Sequence, residues 1–397
     1  MEISDYLRPA FIEQLVQAHR PSHQVRVRSV VPVPLDSSAS ILVILTAGLT
    51  RQAIGHFGLD VGLEIDGVAQ VQRLVLKVKP HGREISAVLA SLAQACGGPL
   101  AAVYPAYAAL TGFEHTHRRE VDVYRQHPSG LTPKIWGLHA NDAAEEYCVL
   151  MEYLEDVTLL NSVLAPEAWT DAHIRAALEQ LAAWHARHLV AQGQGPEPVG
   201  LWSDLPTPAY MQQLGPLWEA LLTNASRFPA LYPAHRVQQL RHAIGQLPTY
   251  WAVLDRQLKT LVHNDLNPRN TCFKTVAGQL QLCAYDWELA TYHVPQYDVV
   301  EFLNFVLDED RYALRLGYLE HYRRALHGCT GRHADADEFR TVAGYAALDF
   351  GLHRLGLYLM AHAVSPYPFL PRVVHSYFDT LAQLRPLGGR AEGSVVR

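Results

Sequence analysis

The spacing of apolar positions changes character twice along the chain. In residues 1–20, Leu7, Phe11, Leu15 and Val16 fall near helical spacing and predict a short amphipathic helix. From Val25 the pattern alternates and is rich in β-branched residues. VRVRSVVPVPL predicts a strand, the polar cluster Asp36-Ser37-Ser38-Ala39-Ser40 a break, and ILVILTAGL (41–49) a second strand. Residues 50–70 are punctuated by glycine and predict a hairpin or an insertion, and RLVLKVKP (73–80) predicts a third strand ended by Pro80. Helical spacing returns at about 82–96 and 114–126, and the break His127-Pro128-Ser129-Gly130 leads into strands around 134–138 and 147–153.

From Thr158 onward the spacing is helical. IRAALEQLAAWHARHLVA (174–191) is amphipathic at a helical period, and further helices fit 208–224, 235–258, 297–307, 311–326 and 336–362. One β-like interruption lies inside this half, at 260–274 and 279–290. The division that follows is an α+β, two-lobed protein. Residues 1–153 form a first lobe with a five-stranded, mainly antiparallel sheet plus helices. Residues 154–388 form a mostly helical second lobe with a small hairpin, and 389–397 a flexible tail.

Composition narrows the function. With 397 residues, 49% of them hydrophobic, the chain can bury a large core. A formal net charge of −6 speaks against a general nucleic-acid binder. The five cysteines are odd in number and form no CxxC pair, so neither a disulfide framework nor a zinc finger is expected. The acidic N-terminus does not resemble a secretory signal, and no uninterrupted apolar run is long enough to span a bilayer. The expectation is a cytoplasmic protein without a membrane partner; its oligomeric state is open.

The β-like interruption carries the candidate chemistry. His263-Asn264-Asp265-Leu266-Asn267-Pro268-Arg269-Asn270 spells His-x-Asp-x-x-x-x-Asn, and Ala284-Tyr285-Asp286-Trp287-Glu288 closes the next apolar run. Phosphoryl transfer requires a carboxylate to orient and deprotonate an attacking hydroxyl, and oxygen ligands to hold Mg²⁺ against the phosphates. Asp265 suits the first task. Asn270 and Asp286, at the two ends of a predicted hairpin, suit the second, because an amide oxygen and a carboxylate are hard donors.

These segments resemble the catalytic motif of the aminoglycoside phosphotransferase and choline kinase-like superfamily, whose members share the protein-kinase-like fold. The wording HNDLNPRN is closest to ecdysteroid kinase-like and related bacterial branches. The resemblance covers most of the chain in layout, and its motifs a few dozen residues. It implies an ATP-dependent kinase (GTP being possible) that uses Mg²⁺ and phosphorylates a hydroxyl of a small metabolite, antibiotic or natural product. It also implies a strand lysine for the α- and β-phosphates, which Lys77 matches with Lys79 as rival. A helix glutamate should pair with it, for which Glu120 is the match and Glu114 the rival. The hinge would be Met151-Glu152-Tyr153-Leu154, holding the adenine by its backbone.

The phosphate loop would be Asp36–Ser40, where Ser37, Ser38 and Ser40 replace the usual glycines. His263 would anchor the catalytic loop, and Asn267 would contact the γ-phosphate or stabilise the turn. Asp286-Trp287-Glu288 stands where protein kinases have Asp-Phe-Gly, and no APE-like element follows, which points away from protein substrates. The acceptor is expected against the helical half, with Asp298, Glu301, Asp349 and His353 as possible contacts. Two other readings stay open: a catalytically silent kinase-fold binding or regulatory protein, and a kinase-fold nucleotidyl transferase.

Overall fold

A computed structural model describes residues 2–35, 54–128, 130–161, 163–191 and 193–387. Ser37, Ser38 and Ser40, and the strand expected at 41–49, lie outside the described residues. Two compact units emerge. One joins residues 1–89, 108–159 and 269–290; the other joins 90–107, 160–268 and 291–397.

The first unit is built on a five-stranded sheet ordered β1-β2-β3-β5-β4, with every neighbouring pair antiparallel. Its strands are β1 (Val25–Val33), β2 (Gly55–Ile65), β3 (Val68–Val78), β4 (Ile135–Asn141) and β5 (Glu146–Glu152). The hairpin expected within 50–70 is the β2–β3 turn. Asp66 (φ 51°) and Gly67 (φ 82°) form the two-residue loop between paired Ile65 and Val68. Positive φ at both central positions is what a tight hairpin matching the strand twist requires, and Asp-Gly supplies it. β3 therefore starts at Val68, earlier than the apolar run at 73 suggested.

Alternation along β3 sorts its side chains by face. Leu74, Leu76 and Val78 enter an apolar core with Leu59, Val61, Leu63, Cys148 and Leu150, covered by Ile12, Leu15 and Val16 of the Pro9–His19 helix. That helix lies so close to β4 that a Cβ on Gly137 would sit 2.8 Å from the Leu15 Cβ. The intervening positions of the strand and its extension, Lys77 and Lys79, face the other way and meet Glu120 of the Thr116–Gln126 helix. The same unit holds a hairpin of β7 (Thr271–Val276) and β8 (Gln279–Ala284), turned at Ala277 (φ 50°) and Gly278 (φ 78°).

The second unit is helical. The Asp171–Arg187 helix packs on Arg315–Thr330, and Gln296–Val306 on Ala336–Leu352. Several predicted helices are split. The 208–224 segment breaks into Pro208–Gln213 and Gly215–Ala225, and 235–258 into Ala234–Gly245 and Leu247–Leu254. In both cases a proline near the start of the second piece, Pro216 or Pro248, lacks the N–H that would continue the first. The 336–362 segment is interrupted at His353, whose ψ of −76° departs from helical geometry. Within this unit β6 (Thr260–Val262) pairs with β9 (Thr291–His293). The buried Trp184 indole donates to the Leu261 carbonyl at 3.0 Å, tying the strand to the Asp171–Arg187 helix. Among the described residues no helix is long and apolar enough to cross a membrane.

Candidate active site

In the sheet unit the strand lysines, a helix glutamate and the segment after the hairpin form one charged cluster. Lys77 Nζ donates to both oxygens of Glu120 at 3.0 and 2.8 Å and to Asp286 Oδ1 at 2.5 Å. Lys79 Nζ donates to the same Glu120 and, at 2.7 Å, to Glu288. Both lysines, Glu120 and Glu288 are buried, whereas the Asp286 side chain is 31% exposed and so is the member open to solvent.

The electrostatics follow from this packing. Burial alone would lower the Lys77 pKa, but Asp286 and Glu120 outweigh it and hold the ammonium well above its ordinary value. Glu120 is raised by burial, yet the two lysines carry it below the usual carboxylate range. Glu288 goes the other way: burial, then the Asp286 charge, push it up to about 7. Lys77 is the lysine that touches Asp286, and Glu120 is the helix carboxylate that meets both lysines.

The hairpin places Asn270 and Asp286 at its open end. Thr271 pairs with Ala284, and the Tyr285 N–H donates to the Asn270 carbonyl at 2.9 Å. Asp286 has left-handed backbone angles (φ 68°, ψ 50°), and its N–H donates to the Tyr124 hydroxyl at 3.2 Å. Such conformations in a non-glycine residue cluster where a site dictates geometry. Oxygens of Glu120, Asp286 and Glu288 lie within 4.8 Å of one another, and the Lys77 and Lys79 ammoniums neutralise them. At the expected hinge, the Glu152 N–H donates to the Lys134 carbonyl at 2.9 Å and the Tyr153 N–H to the Arg73 carbonyl at 3.2 Å. These two amides are engaged within the protein. Met151 is buried in β5, and the Glu152 carboxylate pairs with Lys274.

In the helical unit Asp265 follows Asn264, another left-handed residue (φ 60°), on a loop held from outside by carboxylates. Asp298 accepts from the N–H of His263 at 2.7 Å and of Asn264 at 3.0 Å, and contacts His185 Nε2 at 3.2 Å. Glu301 accepts from the Leu266 N–H at 3.0 Å. Asn267 turns back on Asp265, its Nδ2 donating to the Asp265 carbonyl at 3.1 Å and to Oδ1 at 3.2 Å. Burial, then the charge of Asp265, push the Glu301 carboxyl up to about 8, so it is largely neutral at physiological pH.

Three of the four residues expected at the acceptor side therefore have other work. Asp298 and Glu301 are fully buried and hold the loop backbone. Asp349 is buried too, accepting from Tyr250 Oη at 2.8 Å, Trp251 Nε1 at 3.0 Å and His293 Nε2 at 3.0 Å. His353 sits at the helix interruption with its ring against Trp218. Buried carboxylates persist where donors compensate them, and a sequence does not show which acids those are.

Two participants escaped the sequence reading. Glu288 stands two residues past Asp286 among buried neighbours, and an acid in so apolar a segment was the available signal. Arg354 donates to Asp265 Oδ1 at 2.6 Å, joined by Tyr358 Oη at 2.6 Å. A lone arginine in the apolar stretch Leu348–Ala361 was the corresponding sign.

The sequence profile described as "Phosphotransferase enzyme family" (APH) matches residues 67–334, more than half of the chain, and the chain belongs to that family. No curated protein matches the sequence at a significant level. Among solved structures, an ethanolamine kinase of Plasmodium vivax is similar at 9% identity, TM-score 0.42, over 90% of this chain and 81% of that one. The choline kinase LicA of Streptococcus pneumoniae is similar at 13% identity, TM-score 0.42, over 90% and 94%. A mutant of aminoglycoside phosphotransferase APH(4)-Ia, solved with AMP-PNP and hygromycin B, is similar at 13% identity, TM-score 0.44, over 92% and 96%.

Proposed function

We propose that this phosphotransferase is an ATP-dependent small-molecule kinase, with GTP as the alternative nucleotide. The observation that carries the reading is Lys77, whose ammonium is shared by Glu120 and by Asp286, two residues past the hairpin. A cation fixed by one buried carboxylate and touching a half-exposed one is poised to exchange the latter for phosphate oxygens. In this reading Lys77 binds the α- and β-phosphates, and Glu120 keeps the ammonium in place.

Asp286 and Asn270 would hold Mg²⁺. They fit it because both offer oxygen donors, Asp286 is partly open, and the Tyr285–Asn270 bond fixes their two segments together. When bound, the ion would neutralise charge on the phosphates. Asp265 would receive the proton of the acceptor hydroxyl. As that oxygen forms its new bond to the γ-phosphorus, the bond to the β–γ bridging oxygen breaks, and the electron pair leaves with the nucleoside diphosphate. His263 and Asn267 would support the loop through their backbone and turn contacts.

Because the amides of Glu152 and Tyr153 are already bonded, an adenine at Met151–Leu154 would be read through other backbone groups of that segment. The test is a metabolite extract incubated with ATP and Mg²⁺ and read by accurate mass. A product heavier by ~80 Da is expected for phosphoryl transfer. A product heavier by a whole nucleotide would replace this reading with nucleotidyl transfer, and ATP that is neither bound nor turned over would refute it.

A further inference from the structure

Asp265 is held by more than its own loop. Arg354, the first residue of the Arg354–Val364 helix, and Tyr358, one turn on, both reach its Oδ1 at 2.6 Å. Their spacing of four puts them on one face of the helix, and the guanidinium lies over the Tyr358 ring at 5.4 Å. With Asn267 Nδ2 at 3.2 Å, three donors converge on the same oxygen. The exposures are unequal: the Arg354 side chain is 6% exposed and that of Asp265 17%. The carboxylate is thus the more exposed partner and its cation the more buried one.

Burying an arginine against a single carboxylate gives little net stability, since desolvation offsets much of the attraction. What the arrangement does provide is one orientation of the carboxylate. Building on the reading of Asp265 as the base, we propose that Arg354 and Tyr358 are its positioning residues, clamping Oδ1 so that the remaining face of the carboxylate is presented to the acceptor hydroxyl.

The charged and titratable groups around Asp265 in its unit are consistent with this assignment. Arg354 and Tyr358 come from one helix, and Tyr297, Asp298 and Glu301 from the Gln296–Val306 helix; His263 stands on the loop itself. Burial would lower the Arg354 pKa, but Asp265 outweighs it and the guanidinium stays charged. Glu301 is largely protonated near neutrality, so it adds little negative charge beside the Arg354–Asp265 pair. A neighbouring guanidinium favours the ionised form of an aspartate.

The experiment uses the full chain with MgATP as probe and water as acceptor, comparing wild type with Arg354→Gln, Arg354→Lys, Tyr358→Phe and Asp265→Asn. Arg354→Gln should lower kcat by about 10²-fold, the scale expected when a reacting group is misplaced, with KM for MgATP within a few-fold. The acid limb of its kcat profile should move to higher pH, and Arg354→Lys should restore part of both. Tyr358→Phe should lower kcat less and leave the limb nearly in place.

The carboxyl ¹³C resonance of Asp265, assigned by its loss in Asp265→Asn, gives the same comparison without turnover. If Arg354→Gln does not fold, Arg354→Lys and Tyr358→Phe carry the test. Folded Arg354 and Tyr358 variants with unchanged rate, acid limb and ¹³C titration would overturn the inference. If Asp265→Asn itself leaves hydrolysis unchanged, the assignment of the base fails instead.

Discussion

In the sheet unit the charged side chains meet one another, whereas around the Asp265 loop of the helical unit several meet the backbone. Lys77 and Lys79 converge on Glu120, and each also holds an acid from the Asp286–Glu288 segment. In the helical unit Asp298 and Glu301 hold the N–H groups of His263, Asn264 and Leu266, and Arg354 brings a positive charge to Asp265. The first arrangement is a set of shared ion pairs with one partly exposed carboxylate, which under the proposed function a phosphate would displace. The second fixes a loop, because a buried carboxylate bonded to amides has few other conformations open to it. Acids of the same type thus do two kinds of work, distinguished by what they bond to.

If the comparison is right, removing the open acid of the cluster has the largest effect. Asp286→Ala deletes the only formal charge assigned to the metal. Several kcal/mol of transition-state stabilisation would go with it, a loss of about 10³-fold or more in MgATP turnover. Its circular-dichroism spectrum and melting midpoint should stay near wild type. Full activity at ordinary Mg²⁺ would remove Asp286 from the site.

Next comes Glu120→Ala, which leaves two buried lysines without their shared partner. Breaking a buried pair by deleting one side costs about 3–5 kcal/mol, to be read from urea unfolding. A change below about 1 kcal/mol would mean that the cluster is solvated and not buried as described.

Glu301→Gln probes the loop through pH. The unfolded chain releases this proton near 4.5 and the folded chain retains it to about 8. Over that interval the folded state binds more protons, so wild-type stability falls as pH rises. Glutamine keeps an oxygen for the Leu266 N–H and does not titrate. Its gain over wild type should therefore grow between about pH 5 and about pH 8, which melting midpoints at the two values will show. Parallel pH curves would contradict the buried, protonated state of Glu301. The smallest effect is that of Asn267→Ala, which removes the turn's bonds to Asp265 and should cost about 1 kcal/mol by urea unfolding.

The parts legible in sequence are those with local signatures. Alternation gave β1, β4 and β5 and the hairpin that joins Asn270 to Asp286, and the Lys77–Glu120 pairing followed from the family resemblance. Asp66-Gly67 is a local hairpin signal, but glycines at 55, 58 and 62 break the apolar run of β2 and hide it as a strand. The acids were harder. Asp298, Glu301 and Asp349 look like solvent-facing or ligand-facing charges until the amides, hydroxyl and rings that hold them are seen. Arg354 reaches Asp265 across 89 residues of sequence, and no local pattern encodes that distance.

The most direct test pairs one variant from each region and measures binding and rate separately. Calorimetry would give MgATP affinity, and steady-state turnover would give kcat, for Lys77→Ala and Asp265→Asn. Lys77→Ala should weaken MgATP binding, because it removes the charge that meets the phosphates. Asp265→Asn should bind MgATP within a few-fold of wild type while kcat falls by about 10²–10⁴-fold. An Asp265→Asn protein that loses MgATP binding, or turns over within a few-fold of wild type, would contradict the central claim that Asp265 is the base.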